Sequence, residues 1–352
     1  MGSPPEATNL PVLDLRRFEA GGAERADFLS ALTEQAHRFG FFYVVGHGID
    51  PAFIDEFFAA SRRFFSLPDA DKLAIEMVNS PHFRGYTRAG REHTRGLPDW
   101  REQLDVGAER PALPRDADTP AWRRLQGPNQ WPEAQPELRD VLLRWQGEAT
   151  QLAIRVIRAF AAALGQPEDV FEPVYAEHPN QLVKIIRYPG RDAAGSDQGV
   201  GPHKDSGFVT ILVQGSQRGL QVEVDGEWLD ADPLPGALIV NVGELLELAS
   251  NGYLRANVHQ VITPPAGVDR LSAALFLGAR LDAEIPVLDL PPALAARARG
   301  VTRDPSNPIF REVGRNYLKG RLRSHPDVAR RHYADILDAG ELTRPQALAS
   351  AY

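Results

Sequence analysis

Apolar residues recur along this chain at two different periods, and the change from one to the other divides it. The first half is mostly helical in spacing. Residues 23–39 place Phe28, Leu32, Ala36 and Phe39 on one helical face. Residues 51–65 repeat the pattern with Ile54, Phe57, Phe58 and Phe65, and Asp50 followed by Pro51 supplies an N-cap and a first helical position. From about 137 to 165, Leu138, Leu142, Trp145, Leu152, Val156 and Phe160 outline a long helix that Gly165 stops. Two apolar runs, PVLDL (11–15) and GFFYVVGHGI (40–49), read as strands among these helices. Residues 80–135 hold many prolines, glycines, arginines and tryptophans without a period. They predict a long irregular connection ordered by Trp100, Trp122 and Trp131.

Beyond about residue 180 the runs become short and turn-bounded: 182–188, 207–214, 219–224, 236–242, 256–262 and 271–277. Regularly spaced short strands with DG, PG and NG between them predict a double-sheet jelly roll or barrel. The expected fold is a mostly β core with α: a distorted double-stranded β-helix of cupin type, supported by N-terminal and C-terminal helices. The organisation expected is a helical region over 1–175, the jelly-roll core over 176–285 and a helical, locally basic tail over 286–352, a candidate lid.

Composition narrows the partners. The chain has 352 residues, 43% hydrophobic and 24% charged, with a formal charge of -8. A mildly acidic chain has little nonspecific grip on nucleic acid or anionic membrane, and no apolar run approaches the roughly 18 residues that span a bilayer. MGSPPEATNL lacks the basic-then-apolar order of a signal peptide, so the cytoplasm is the expected compartment. The chain has no cysteine, which removes disulfides, zinc–thiolate sites and thiol nucleophiles. Its oligomeric state is not legible.

The stretch GPHKDSGFVTILVQ (201–214) sets His203 and Asp205 two apart, on one face if the chain is extended. The β region offers one further histidine, His259, as a third arm. Two histidines and a carboxylate on one side of an ion leave adjacent positions open, the arrangement of nonheme Fe(II) oxygenases. By itself H-x-D is common, and a strand histidine is more often a packed residue than a ligand. Further along, DRLSAALFL (269–277) gives Arg270 and Ser272 the same strand parity. A guanidinium fork and a hydroxyl suit a carboxylate, and an arginine facing a barrel interior needs an anion to meet it. A buried salt bridge or a surface arginine is the plainer alternative. Tyr188, ending IIRYPG, could reach the same carboxylate or be a core tyrosine.

The order H-x-D-x-G-x-x-T-x-L-x-Q, GLQ, PGALIVNVGE, SNGYL, H-Q-V and R-L-S resembles the isopenicillin N synthase-like branch of the Fe(II)/2-oxoglutarate-dependent dioxygenases. PVLDL, GFFYVVGHGI, FFSLP and RGYT…GLPDWREQLDVG are similar to the N-terminal region of that family, so the likeness spans about 10–285. Glu244 and Gln260 depart from the Asp and Arg more usual there. The resemblance implies iron on His203, Asp205 and His259, and 2-oxoglutarate on Arg270, Ser272 and Tyr188. It also implies O2 as co-substrate and oxidation of an unactivated C–H in a small molecule, by hydroxylation, desaturation or cyclisation, in biosynthesis or catabolism. No side-chain acid or base is required. Two competing readings stay open: a 2-oxoglutarate-independent iron oxidase, in which the R-x-S pair holds the substrate, and a noncatalytic jelly-roll binding protein. Arg84, Tyr86, Arg88 and Phe208 are the substrate-facing candidates. The basic tilt of Arg84, Arg88, Arg91 and Arg95 suggests an anionic substrate, or simply a solvated loop face.

Overall fold

Alternation within the strand Phe41–Val45 shows how the layers are built. In the computed structural model, which describes residues 10–114, 119–192, 198–301 and 308–339, Phe41 and Tyr43 enter one core while Phe42 and Val44 enter another. Successive strand side chains point to opposite faces. A strand apolar at every position is therefore covered on both sides.

The early strands are β1 (Val12–Asp14), β2 (Phe41–Val45), β3 (Gly85–Thr87), β4 (His93–Thr94), β5 (Leu97–Pro98) and β6 (Glu102–Gly107). The later ones are β7 (Asn180–Pro189), β8 (Gln198–His203), β9 (Val209–Gln214), β10 (Leu220–Val224) and β11 (Glu227–Asp230), then β12 (Leu238–Val242), β13 (His259–Ile262) and β14 (Asp269–Gly278). An eight-stranded sheet runs β1-β2-β12-β9-β14-β7-β6-β3, a four-stranded sheet runs β11-β10-β13-β8, and β4 and β5 form a small hairpin. The four-stranded sheet brings Val200, Leu220, Val222 and Val261 against Phe41, Tyr43, Ile186, Tyr188 and Ile239. This filled space between two facing sheets is the jelly-roll core. The other face of the large sheet packs on the helix Leu138–Ala163 through buried residues such as Trp145, Leu152 and Phe160.

The helical periods appear where the pattern placed them, as Gly22–Arg38, Pro51–Phe65 and Leu138–Ala163. Asp50 caps the second by accepting from the Ala52 amide at 2.9 Å, and Gly165, at φ +73°, takes the left-handed conformation that ends the third. Six strands arise where the sequence pattern had no strand: β3, β4, β5, β6, β8 and β11. β6 is buried at every position yet contains Glu102, Gln103 and Asp105, so it carries no apolar period. β1, β2, β3 and β6 all belong to the large sheet, so the first half of the chain completes the core rather than merely supporting it. The helix Val313–Ser324, with two short helices after it, crosses back to this assembly. Arg321 meets Asp105 at 2.9 Å, and His325, just beyond the helix, meets Glu92 at 3.3 Å.

Candidate metal centre and its cavity

His203 ends β8 and His259 opens β13, and the two are register partners with ring centroids 4.2 Å apart. Asp205 follows two residues after His203. Its Oδ1 lies 3.6 Å from His203 Nε2 and 3.7 Å from His259 Nε2, and the potential ligand atoms all lie within 4.8 Å of one another. Backbone carbonyls aim both rings: His203 Nδ1 is 2.8 Å from the Gly201 oxygen and His259 Nδ1 is 3.2 Å from the Asn257 oxygen. A ring whose Nδ1 carries its proton to a carbonyl presents Nε2 as a lone pair. The carboxylate divides similarly. Its Oδ2 accepts from Thr210 Oγ1 at 2.6 Å and Asn241 Nδ2 at 2.7 Å, leaving Oδ1 for an ion.

Electrostatics favour the same protonation states. Burial, with His203 beside it, pushes the His259 pKa down to about 4 against the opposing pull of Asp205. Burial also lowers the His203 pKa. For Asp205 burial works upward, but the two imidazoles and the hydrogen bonds from Thr210 and Asn241 outweigh it and hold the carboxyl below its usual range. Near neutral pH the trio is two neutral imidazoles and one carboxylate. That donor set of nitrogen and oxygen with an open hemisphere fits Fe(II).

Arg270 and Tyr188 are register partners on β14 and β7, and Ser272 lies beside Gln214 of β9. Arg270 is 1% exposed. It donates from Nη1 to Ser272 Oγ at 3.2 Å and from Nη2 to Gln214 Oε1 at 2.7 Å, and it lies 4.9 Å from the centre of the Tyr188 ring. Its Nε is buried without an acceptor, and among the described residues no carboxylate pairs with it. Burial lowers its pKa, opposed by Tyr188. A buried guanidinium held only by neutral groups carries an uncompensated desolvation cost. A carboxylate of 2-oxoglutarate fits it.

A cavity of about 1050 Å³ opens beside the trio, with His203 and Asp205 in its wall. Its basic lining residues are Arg95, Arg101, Lys184, Lys204, Lys319, Arg321 and Arg323, and its acidic ones are Glu92, Asp205 and Glu244. Burial pushes Glu244 up to about 7, against Lys319 and Lys204. Several of these residues escaped the sequence reading. Thr210 and Asn241 lie within the T-x-L and NVGE motifs that were recognisable. Arg101 lies in the GLPDWREQLDVG stretch and Arg321 in the basic tail, but nothing local showed that they and Lys184 would meet at one cavity.

The substrate-facing candidates are placed elsewhere, and among the four arginines of that stretch only Arg95 lines the cavity. Arg84 is buried and donates to the carbonyls of His82, Phe83 and Leu125, beside a separate cavity of about 560 Å³. Tyr86 donates to Glu102 at 2.5 Å from inside the hydrophobic core. Arg88 pairs with Glu76 at 2.8 Å on the surface. Phe208 is fully buried against Phe171. In each case the register or a nearer partner turns the side chain away from the iron side.

Comparison with known proteins agrees with this geometry. Residues 10–134 match the family described as non-haem dioxygenase in morphine synthesis N-terminal, and residues 179–279 match the 2OG-Fe(II) oxygenase superfamily. The chain is 36% identical to the 2-oxoglutarate-dependent dioxygenase frbJ of Dothideomycetidae sp. (strain 11243), over 94% of each protein. It is 32% identical to homoarginine-6-hydroxylase 2-ODD-C23.1 of Arabidopsis thaliana, over 80% of this chain and 88% of that one. The crystal structure of a full-length Neurospora crassa protein in complex with alpha-KG superposes with a TM-score of 0.70 at 26% identity, covering 84% of this chain and 93% of that one. The chain belongs to the 2OG-Fe(II) oxygenase superfamily. It is an oxidoreductase, a dioxygenase that uses Fe(II), 2-oxoglutarate and O2.

Proposed function

We propose that His203, Asp205 and His259 hold the ferrous ion, that Arg270, Ser272 and Tyr188 anchor the far carboxylate of 2-oxoglutarate, and that the substrate is a small organic anion oxidised at an unactivated C–H. The buried Arg270 fork, which has no carboxylate partner among the described residues, carries the co-substrate part of this reading. With both bound, iron and 2-oxoglutarate supply the oxidising power from O2, and 2-oxoglutarate leaves as succinate and CO2. The chain's own work is to hold and orient. The Gly201 and Asn257 carbonyls fix the two imidazoles, Thr210 and Asn241 fix the carboxylate, and the jelly-roll core keeps water from the Arg270 fork.

The charge of the cavity favours an anion. Seven basic residues line it against three acidic ones, and Asp99, Asp105 and Glu247 behind the wall pair with some of the seven. One positive charge remains after all six acids are set against them, and the two charges of the ferrous ion are offset by those of 2-oxoglutarate. A carboxylate-bearing small molecule is steered toward such a surface.

The test is a mass-spectrometric screen of small carboxylic acids beside neutral and cationic metabolites of similar size, with purified protein. The expected result is gain of one oxygen or loss of two hydrogens, dependent on added Fe(II) and 2-oxoglutarate and matched by succinate. Product formation confined to neutral or cationic compounds would remove the anionic reading.

A further inference from the structure

We propose that Asp99 is a positioning residue for the iron ligand His203, so that the β4–β5 segment of the N-terminal region sets how tightly the site holds its metal. The proposal rests on the assignment of His203 as a ligand.

β8 is the edge strand of the four-stranded sheet, with β13 as its neighbour on one side. Its pairing with β13 slips just before the ligand: His259 stands opposite His203, but Val261 stands opposite Val200. Gly201 and Pro202 are thus the bulged residues, one more on β8 than the ladder can match. A bulge leaves backbone groups without ladder partners and re-aims the side chain that follows. Here the re-aimed side chain is His203, and its Nδ1 finds the Gly201 carbonyl at 2.8 Å.

Asp99 holds that bulge in place. The residue is fully buried, and its two carboxylate oxygens serve two different elements. Oδ1 accepts from Gln198 Nε2 at 2.9 Å and from the Gly201 amide at 3.2 Å, both on β8. Oδ2 accepts from Thr94 Oγ1 of β4 at 2.8 Å and faces Arg101 Nη2 at 3.4 Å. The next residue continues the attachment, since the Trp100 amide donates to the Gln198 carbonyl at 3.0 Å. The segment after β5 therefore does for the edge of β8 what another strand would do. Asp99 thus acts through one intervening residue: it holds the amide of Gly201, whose carbonyl orients His203. Groups that orient a metal-binding histidine typically change metal affinity 10- to 100-fold when removed.

The experiment is an anaerobic calorimetric titration of the full-length metal-free protein with Fe(II), with Co(II) as an oxidation-resistant check. Asp99→Ala is expected to weaken the metal dissociation constant about 10- to 100-fold. Asp99→Asn keeps an acceptor oxygen for Gly201 and should recover most of that loss. Leu32→Ala, in the remote helix Gly22–Arg38, controls for lost stability and should leave metal affinity unchanged. Affinity of Asp99→Ala within twofold of the parent overturns the proposal, as does equal weakening by Leu32→Ala. His203→Ala distinguishes the premise: full metal affinity in that variant overturns the ligand assignment itself.

Discussion

At the scale of single residues, the site works by giving each polar atom one task. Asp205 keeps Oδ1 available for the proposed ion because Thr210 and Asn241 occupy Oδ2. Asp205→Ala should abolish succinate formation and metal uptake together. Thr210→Val removes one of the two orienting bonds, and a roughly 10-fold weaker metal dissociation constant is expected by the same titration. Arg270 differs in kind, since in the proposed reading its fork takes a carboxylate rather than an ion. Arg270→Lys keeps the charge but loses the planar pair of donors. A charged hydrogen bond contributes about 1.5–3 kcal/mol, so the apparent affinity for 2-oxoglutarate should fall on the order of 10- to 100-fold while metal binding stays intact. Loss of both affinities would show that Arg270 supports the fold instead.

At the scale of elements, the loop carrying Asp205 is held by the start of the helix Glu244–Ala249. The Glu244 amide donates to the Asp205 carbonyl at 2.7 Å, and the Leu245 amide to that of Gly207 at 3.1 Å. Gly243 permits this approach. A Cβ there would lie 2.1 Å from the Gly207 carbonyl oxygen, a backbone atom that cannot swing aside. Gly243→Ala should therefore lower metal affinity and also cost about 1–3 kcal/mol of stability. Phe160→Ala provides the contrast. It empties a fully buried position on the long helix and should cost about 3–5 kcal/mol in a denaturant titration, with metal affinity of the folded protein unchanged. Equal metal affinities in the two variants would contradict this separation of core from site.

At the scale of the whole molecule, a buried charge network joins regions far apart in sequence. Glu92 meets Arg101 at 2.8 Å, Lys184 at 3.2 Å and His325 at 3.3 Å, and Asp105 meets Lys184 at 3.1 Å and Arg321 at 2.9 Å. Burial works to raise the Glu92 pKa, but Arg101, Lys184 and His325 outweigh it and hold the carboxyl well below 4.5. Its contribution to stability is therefore fully present above about pH 4.5 and is lost as pH falls through the lower folded-state value. Denaturant midpoints should drop below that pH. Glu92→Gln should cost about 3–5 kcal/mol at pH 7, because it strands buried cations, and should flatten the acid dependence. An unchanged acid limb would assign that dependence to other carboxylates.

The same network marks the boundary of what could be read in advance. The helical and strand periods, the strand carrying Arg270 and Ser272, and the His203, Asp205 and His259 trio were legible from sequence, because periodicity and donor chemistry belong to a residue and its near neighbours. β6 was not, since its buried Glu102 and Asp105 are neutralised by Lys72, Arg187, Lys184 and Arg321 from other elements. Nor was the direction of the basic side chains: Arg84 and Arg88 turn toward closer partners while Arg95, Arg101 and Arg321 reach the cavity. Sequence by itself determined which atoms could bind iron and most of the strands of the core, though not β8, which bears His203. Only the tertiary structure decided which charges face the cavity and what steadies the edge of β8, because a side chain's direction follows from the register of strands paired across long stretches of chain.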